Sequence, residues 1–166
     1  MNLTITKYLH LSLLFLAISF GIDASPDLKR MNLIVSDLDQ SLEIYRDVIG
    51  MEVFEIKNSE KGSYAYKVFN LPKDADMRFA SLNIGPKKRG FSLTEIKNAQ
   101  LPSLDGIKMT TAVIQVEGLK EIYDKIVDMN LYSTAIDEDL TPEGIVFSEF
   151  SFTDYDGHLV VLYELK

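Results

Sequence analysis

The chain of 166 residues is 46% hydrophobic, which provides enough apolar material for one compact domain with a buried core. Its formal net charge of −8 argues against a nucleic-acid partner, because duplex binding requires clustered lysine and arginine side chains. The absence of cysteine excludes disulfide bonds, thiolate metal sites and cysteine nucleophiles.

Residues 1–24 have the pattern of a secretory signal. The basic residue Lys7 precedes an apolar run over residues 8–22, and small residues follow at Ala24 and Ser25. The run is shorter than the roughly 20 residues that a membrane span requires. We therefore predict a cleavable signal peptide, export to the periplasm or the extracellular space, and no stable membrane span after cleavage; an uncleaved anchor is the alternative.

The next segment, LKRMNLIVSDLDQSLEIYRDVIGM, predicts a strand followed by a helix. Residues 30–35 form a β-type run, and apolar residues follow it at helical spacing. These residues are Leu38, Leu42, Tyr45 and Ile49. Asp37 or Asp39 is expected to cap the helix, and Gly50 is expected to end it. A second strand is expected over residues 51–56.

The rest of the first half is expected to contain two more strands, at residues 77–84 and 91–96. A solvated turn that includes residues 87–89, KKR, joins them. Residues 64–76, between the strands expected at 51–56 and 77–84, are expected to be irregular or briefly helical. A linker over residues 99–108 follows.

After the linker the same order of elements begins again. A strand is expected at residues 109–116, a helix at 118–130, a less regular strand at 131–137, and a hairpin formed by residues 144–152 and 158–165. The letters repeat as well, because EIYRDVIGM at Glu43 resembles EIYDKIVDM at Glu121. The sequence therefore predicts an α+β fold of two β-α-β-β-β modules, over residues 28–98 and 109–166.

The strand and helix of residues 31–54 and the closing segment DYDGHLVVLYEL resemble the vicinal oxygen chelate superfamily, which includes glyoxalase I, extradiol dioxygenases and bleomycin resistance proteins. The resemblance covers nearly the whole chain from Leu28 onward. It implies that the two modules share a cup-shaped mixed sheet with the helices on the outer face. It also implies that a homodimer is a candidate assembly, since family members often pair modules between chains.

The resemblance implies four metal-ligand positions, two in each module, which in the metal enzymes hold His, Glu or Gln. In this chain the matching positions hold Arg30, Thr94, Thr111 and Val161. Arginine has no free lone pair and stays protonated, and valine has no donor atom. Glu95 and Glu164 lie near two of the positions, but a shift of one or three residues places a side chain on the opposite face of a strand. We therefore predict no metal site and no cofactor.

Arg30 is the most informative of these residues. Its alternation with Asn32 and Ile34 predicts that it points into the cup, where an unpaired charge is costly. Arg30 is therefore expected either to anchor an anionic ligand or to pair with an acidic neighbour at the rim.

Other residues allow both a functional and a structural interpretation. Five aromatic side chains are candidates for the cup wall or for the core. They are Tyr64, Tyr66, Phe150, Phe152 and Tyr163. His158 is expected at the surface, and Asp154 and Asp156 are expected to form a turn.

The preferred function is metal-independent binding of a small organic molecule, with an anion as one option, by Arg30, Asn32, Thr94, Thr111 and Val161. One alternative is an enzyme of the same superfamily: a metal-dependent lyase, isomerase or dioxygenase similar to lactoylglutathione lyase, or a metal-free enzyme that uses Arg30. The second alternative is a structural or partner-binding module whose cup is filled by side chains.

Overall fold

A computed structural model describes residues 26–103 and 105–166, and it contains two modules of the same order. The first comprises β1 (Met31–Val35), α1 (Leu38–Leu42), a π-helical segment (Glu43–Val48), β2 (Glu52–Asn58), α2 (Tyr64–Val68), β3 (Asp76–Ile84) and β4 (Lys87–Lys97). The second comprises β5 (Thr111–Gln115), α3 (Leu119–Asp128), β6 (Asp137–Leu140), β7 (Val146–Thr153) and β8 (Leu159–Leu165). The predicted α+β fold of two β-α-β-β-β modules is confirmed.

Each module has its own four-stranded mixed sheet, with strand orders β1-β4-β3-β2 and β5-β8-β7-β6. The outer strands β1 and β5 each run parallel to the last strand of their module. Hydrogen bonds to the edge of β1 come from the turn before β8, because Ser36 N donates to Asp156 Oδ1 and His158 Nε2 donates to Ile34 O. The sheets are therefore separately hydrogen-bonded, where we expected one shared sheet.

The first helix begins and ends as the sequence predicts. Asp37 caps it, since its Oδ1 accepts a hydrogen bond from Gln40 N at 3.0 Å. Gly50 follows the helix with a φ of +86°, a conformation that costs glycine least. The helix changes to π-helical geometry at Glu43, which its amphipathic pattern does not predict.

One hydrophobic core spans both modules, because the helix faces of both sheets contribute to it. In β1 the core residues are Leu33 and Val35, and in β5 they are Ala112 and Ile114. Since side chains alternate along a strand, the residues between them point away from the helices. We call this second side the open face of each sheet.

Two expectations about individual elements were wrong. The strand expected at residues 131–137 lies instead at Asp137–Leu140, and Ser133 makes only an isolated bridge to Phe152. The segment DEDL has no apolar alternation, so its strand conformation depends on pairing with β7. Residues 87–89 are not a turn, because β4 already begins at Lys87 and pairs there with Ile84.

Within the residues that the structure describes, no helix has the length and apolar character needed to cross a membrane. Residues 1–24 lie outside the described residues. The predicted signal peptide therefore stays a prediction.

Candidate functional site

A cavity of about 540 Å³ lies on the open face of the first sheet. The strand register places Asn32, Ser92, Ser81 and Glu55 in one row across the four strands, and Ile34, Thr94, Phe79 and Lys57 in the next. Arg30 and Asn32 both line the cavity, as do Lys57 and Phe79. The volume lies within the range of about 300 to 1,000 Å³ that is typical of small-molecule pockets.

The Arg30 side chain extends over the sheet into this cavity. Its guanidinium carbon lies 5.5 Å from the centroid of the Phe79 ring, and Lys57 Nζ lies 5.8 Å from the same centroid. Both distances fit cation–π contacts. Among the described residues, no carboxylate oxygen lies within 4 Å of Arg30, so the expected alternative of an acidic partner at the rim is not found there.

Asn32 is held by two hydroxyl groups on β4. Ser92 Oγ donates to Asn32 Oδ1 at 2.6 Å, and Thr94 Oγ1 donates to the same oxygen at 2.8 Å. Thr94 is fully buried beneath Asn32 and does not itself line the cavity. Because the amide oxygen is occupied, the NH₂ group of Asn32 is the donor that remains for a ligand.

Glu95 and Glu164 point toward the helices, as the alternation predicts for neighbours of open-face residues. Glu95 Oε1 accepts a hydrogen bond from Leu38 N at 2.9 Å, and Glu164 Oε1 accepts one from Gly118 N at 2.6 Å. Each carboxylate thus satisfies a backbone donor at the start of its module's helix. The two glutamates are equivalent in the repeat, and both have a structural role.

Thr111 and Val161 lie on the open face of the second sheet and do not line the cavity beside Arg30. Thr111 Oγ1 donates to Leu159 O at 2.9 Å. Their neighbour Val113 is 61% exposed, so the described residues leave this part of the face uncovered. The structure therefore brings Arg30, Asn32 and Thr94 together but leaves Thr111 and Val161 apart from them.

The apolar end of the cavity is built by α2, where the sequence identified only Tyr64 and Tyr66 as candidates for the cup wall. Ala65 and Phe69 pack with Met77 and Ile96 in a small second core on the open face. The missed residues Met77 and Phe79 alternate with Arg78 and Ala80 along β3, so their common face was available as a period-2 signal.

The aromatic candidates divide between wall and core. Tyr64 lines the cavity, whereas Tyr66 is buried in the second core and donates from its hydroxyl to Ala75 O at 3.0 Å. Phe150 and Phe152 belong to the main core. Tyr163 lies on the open face of the second sheet and donates to Gln115.

The segment of residues 154–158 connects the modules. Asp154 Oδ2 accepts a hydrogen bond from the Tyr45 hydroxyl at 2.8 Å, while its Oδ1 accepts from the backbone N–H groups of Asp156 and His158, as expected for a turn. Burial raises the pKa of Asp154, and burial and the nearby Asp154 charge raise the pKa of Tyr45 well above its usual value. His158 is half-buried at this junction, although a surface position was expected.

The donor set at the four family positions does not fit a transition metal. Sites for such ions with nitrogen and oxygen ligands need about three or four lone-pair donors, and Arg30 would instead place a positive charge beside the ion. Thr94 is hydrogen-bonded to Asn32, and Thr111 and Val161 lie on the other sheet. Within residues 26–103 and 105–166, no group of three or more His, Asp or Glu side chains is placed to hold a metal.

Comparison with known proteins agrees with the architecture. The family model of the Glyoxalase/Bleomycin resistance protein/Dioxygenase superfamily matches residues 27–162. No protein with a curated function matches the chain.

Several solved structures are similar to this chain. A glyoxalase family protein from Bacillus cereus is 18% identical, with 86% of this chain and 97% of that chain covered and a TM-score of 0.63. A glyoxylase/bleomycin resistance protein/dioxygenase domain from Frankia is 13% identical, with 86% and 100% covered and a TM-score of 0.57. A fosfomycin resistance protein from Listeria monocytogenes, complexed with Mn(II) and sulfate, is 18% identical, with 81% and 88% covered and a TM-score of 0.51. At these identities the likeness concerns the fold alone.

Proposed function

Because this chain belongs to the glyoxalase/bleomycin resistance protein/dioxygenase superfamily, we propose that it binds a small organic molecule in the cavity of its first module, without a transition metal. Arg30 and Asn32 contact the ligand, and Thr94 positions Asn32. Binding by sequestration, as in bleomycin resistance proteins, requires no reaction centre.

The observation that carries this proposal is the position of Arg30. The metal enzymes that this chain resembles hold a metal ligand at the position that Arg30 occupies in this chain. The Arg30 side chain lies in the cavity over Phe79. A fixed positive charge there repels a divalent ion and attracts an anionic or polar organic group. The cavity is also open to a ligand, which supports binding over a purely structural module.

Native mass spectrometry of the protein purified from its own host tests the proposal directly. We expect a bound small molecule and substoichiometric metal, and we expect ligand binding to persist in the presence of a chelator. About one tightly held transition metal per chain, with a catalytic activity lost on chelation and restored by that metal, would identify a lyase, isomerase or dioxygenase instead.

We also propose that two copies of the chain pair, so that the second module of one copy covers the cavity of the other. Charge supports this pairing, because residues 28–98 hold twelve Lys and Arg against ten Asp and Glu, whereas residues 109–166 hold three against twelve. Thr111 and Val161 would then join the site from the second copy. A monomer at 10 to 50 mM salt in light scattering would exclude this assembly, and a dimer that weakens as salt rises would support it.

We further propose export with removal of residues 1–24. The basic residue and apolar run of this segment support cleavage. N-terminal sequencing of protein from its native cells should begin near Ser25, and Met1 as the first residue would exclude cleavage.

A further inference from the structure

We infer that the ligand is an organic carboxylate with an apolar body, whose carboxylate group lies at Arg30 and Asn32 and whose body points toward α2. Since this assigns a ligand class to the cavity proposed above, it depends on that function. Charge, hydrogen-bonding capacity and the placement of apolar surface each support it.

The cavity is lined mainly by positively charged side chains among its ionisable residues, although the protein as a whole is acidic. Lys29, Arg30, Lys57 and Arg89 line it, with Glu60 as the acidic residue at its wall, although the chain as a whole has a formal charge of −8. Positive charge confined to one concave site raises the local concentration of anions and repels cations. The ligand is therefore an anion.

The pairing of the cavity's cations shows where an anion fits. Lys57 Nζ lies 3.3 Å from Glu55 Oε2, and an Arg89 guanidinium nitrogen lies 3.9 Å from the same oxygen. Arg30 has no such partner among the described residues, yet it shares the Phe79 ring with Lys57. A negative charge placed at Arg30 therefore relieves the repulsion between these two cations.

The hydrogen-bond donors favour a planar carboxylate. The guanidinium group of arginine presents a fork of N–H donors that matches the two oxygens of a carboxylate. The NH₂ group of Asn32, which has no partner among the described residues, adds a donor on the neighbouring residue of the same face, and its orientation is fixed by Ser92 and Thr94.

The opposite end of the cavity is apolar. Ala65, Val68 and Phe69 of the α2 region line it together with Met77. Burial of apolar ligand surface there contributes about 25 cal/mol per Å². A ligand with a charged head and an apolar body thus matches both ends, whereas a uniformly polar anion matches one.

Calorimetric titration with three compounds that share one body tests the carboxylate class. The compounds are 3-phenylpropionate, 3-phenylpropanol and 3-phenylpropylamine, which are negative, neutral and positive at pH 7. We expect the carboxylate to bind at least about tenfold more tightly than the alcohol, which corresponds to about 1.4 kcal/mol, and the amine to bind most weakly.

Variants locate the two ends of the ligand. Arg30→Gln should reduce carboxylate affinity to that of the alcohol, and Arg30→Lys, which keeps the charge without the fork, should retain part of the preference. Arg46→Gln is the matched control, since Arg46 pairs with Asp47 on an exposed helical surface outside the cavity. Ala65→Trp should weaken carboxylate and alcohol to the same extent by occupying the apolar end. Circular dichroism and thermal unfolding confirm that each variant is folded.

The outcomes separate the ligand class from the proposed function. Equal affinity for carboxylate and alcohol, or tighter binding of the amine, overturns the carboxylate assignment and leaves small-molecule binding intact. A carboxylate preference that Arg30→Gln does not change also overturns it. If native mass spectrometry finds no bound molecule and no compound binds, both proposals fail.

Discussion

The two modules have the same order of elements but differ in what their open faces carry. The first module surrounds its open face with α2 and with cationic residues, including Arg30 and Lys57. The second has no helix between its second and third strands, where residues 137–153 are all described, and its open face carries Thr111, Val113 and Val161. The helix sides, by contrast, are alike, since Glu95 and Glu164 accept equivalent hydrogen bonds.

This difference teaches that a duplicated fold retains its supporting contacts while its open faces diverge. The helix side contributes to the shared core and is constrained by packing in both modules. The open face is free of that constraint, so a single segment, residues 59–72, is enough to turn one face into a cavity. Function in this fold resides in the side chains placed on the sheet.

The largest expected effect concerns the core that the modules share. Phe91 in the first module and Phe152 in the second are both fully buried in one cluster. We expect Phe91→Ala and Phe152→Ala each to lower the free energy of unfolding by about 3 to 5 kcal/mol. Because the core is common, urea unfolding of either variant should follow one transition, with hydrogen exchange increasing in both modules. Separate transitions, each limited to the substituted module, would mean that the modules are independent.

A smaller effect compares the equivalent glutamates. Glu95 is buried, with Arg78 and Lys97 within 4 Å, whereas Glu164 is half-buried. Glu95→Ala should therefore cost about 2 to 3 kcal/mol, and Glu164→Ala about 1 kcal/mol, in free energy of unfolding. Chemical denaturation measures both, with Glu143→Ala on an exposed turn as a control that should stay close to wild type. Equal costs would show that burial does not distinguish the two caps.

The smallest expected effect is the pH dependence of stability that arises from Asp154, at the junction between the modules. Burial raises the pKa of Asp154 above its ordinary value of 3.8, so the folded protein holds this proton more tightly than the unfolded chain does. The contribution of Asp154 to stability is therefore fully present below pH 3.8 and is lost as the pH rises through the raised pKa.

Asp154→Asn tests the direction of this pH dependence of stability. The side-chain oxygen of the asparagine still accepts the hydrogen bonds of the turn, and its NH₂ group donates to the Tyr45 hydroxyl oxygen. We expect the stability of the wild type, relative to Asp154→Asn, to fall as the pH rises from 3.5 to 7 in urea denaturation. A relative stability that rises over this interval would show that Asp154 is stabilised as a carboxylate.

The order of strands and helices was predictable from the sequence because it depends on local patterns. Apolar spacing, the cap at Asp37 and the glycine at position 50 act within a few residues, and the repeat from Glu43 to Glu121 indicated two modules. Strand alternation also predicted that Arg30 and Asn32 share a face and that Glu95 does not. The edge strand at residues 137–140 was missed, because its conformation depends on pairing with β7 rather than on its own residues.

Only the tertiary structure decided which of these residues form one site. Arg30 reaches Phe79 across β4, the one strand that lies between β1 and β3. The α2 segment closes the apolar end of the cavity, and Thr111 and Val161 stay outside it. None of these three arrangements follows from local spacing. The same holds for Asp154, which forms its turn locally but also accepts a hydrogen bond from Tyr45, 109 residues away in the chain. Short-range patterns determine the elements because they act through the backbone and near neighbours, whereas the site depends on how distant elements pack.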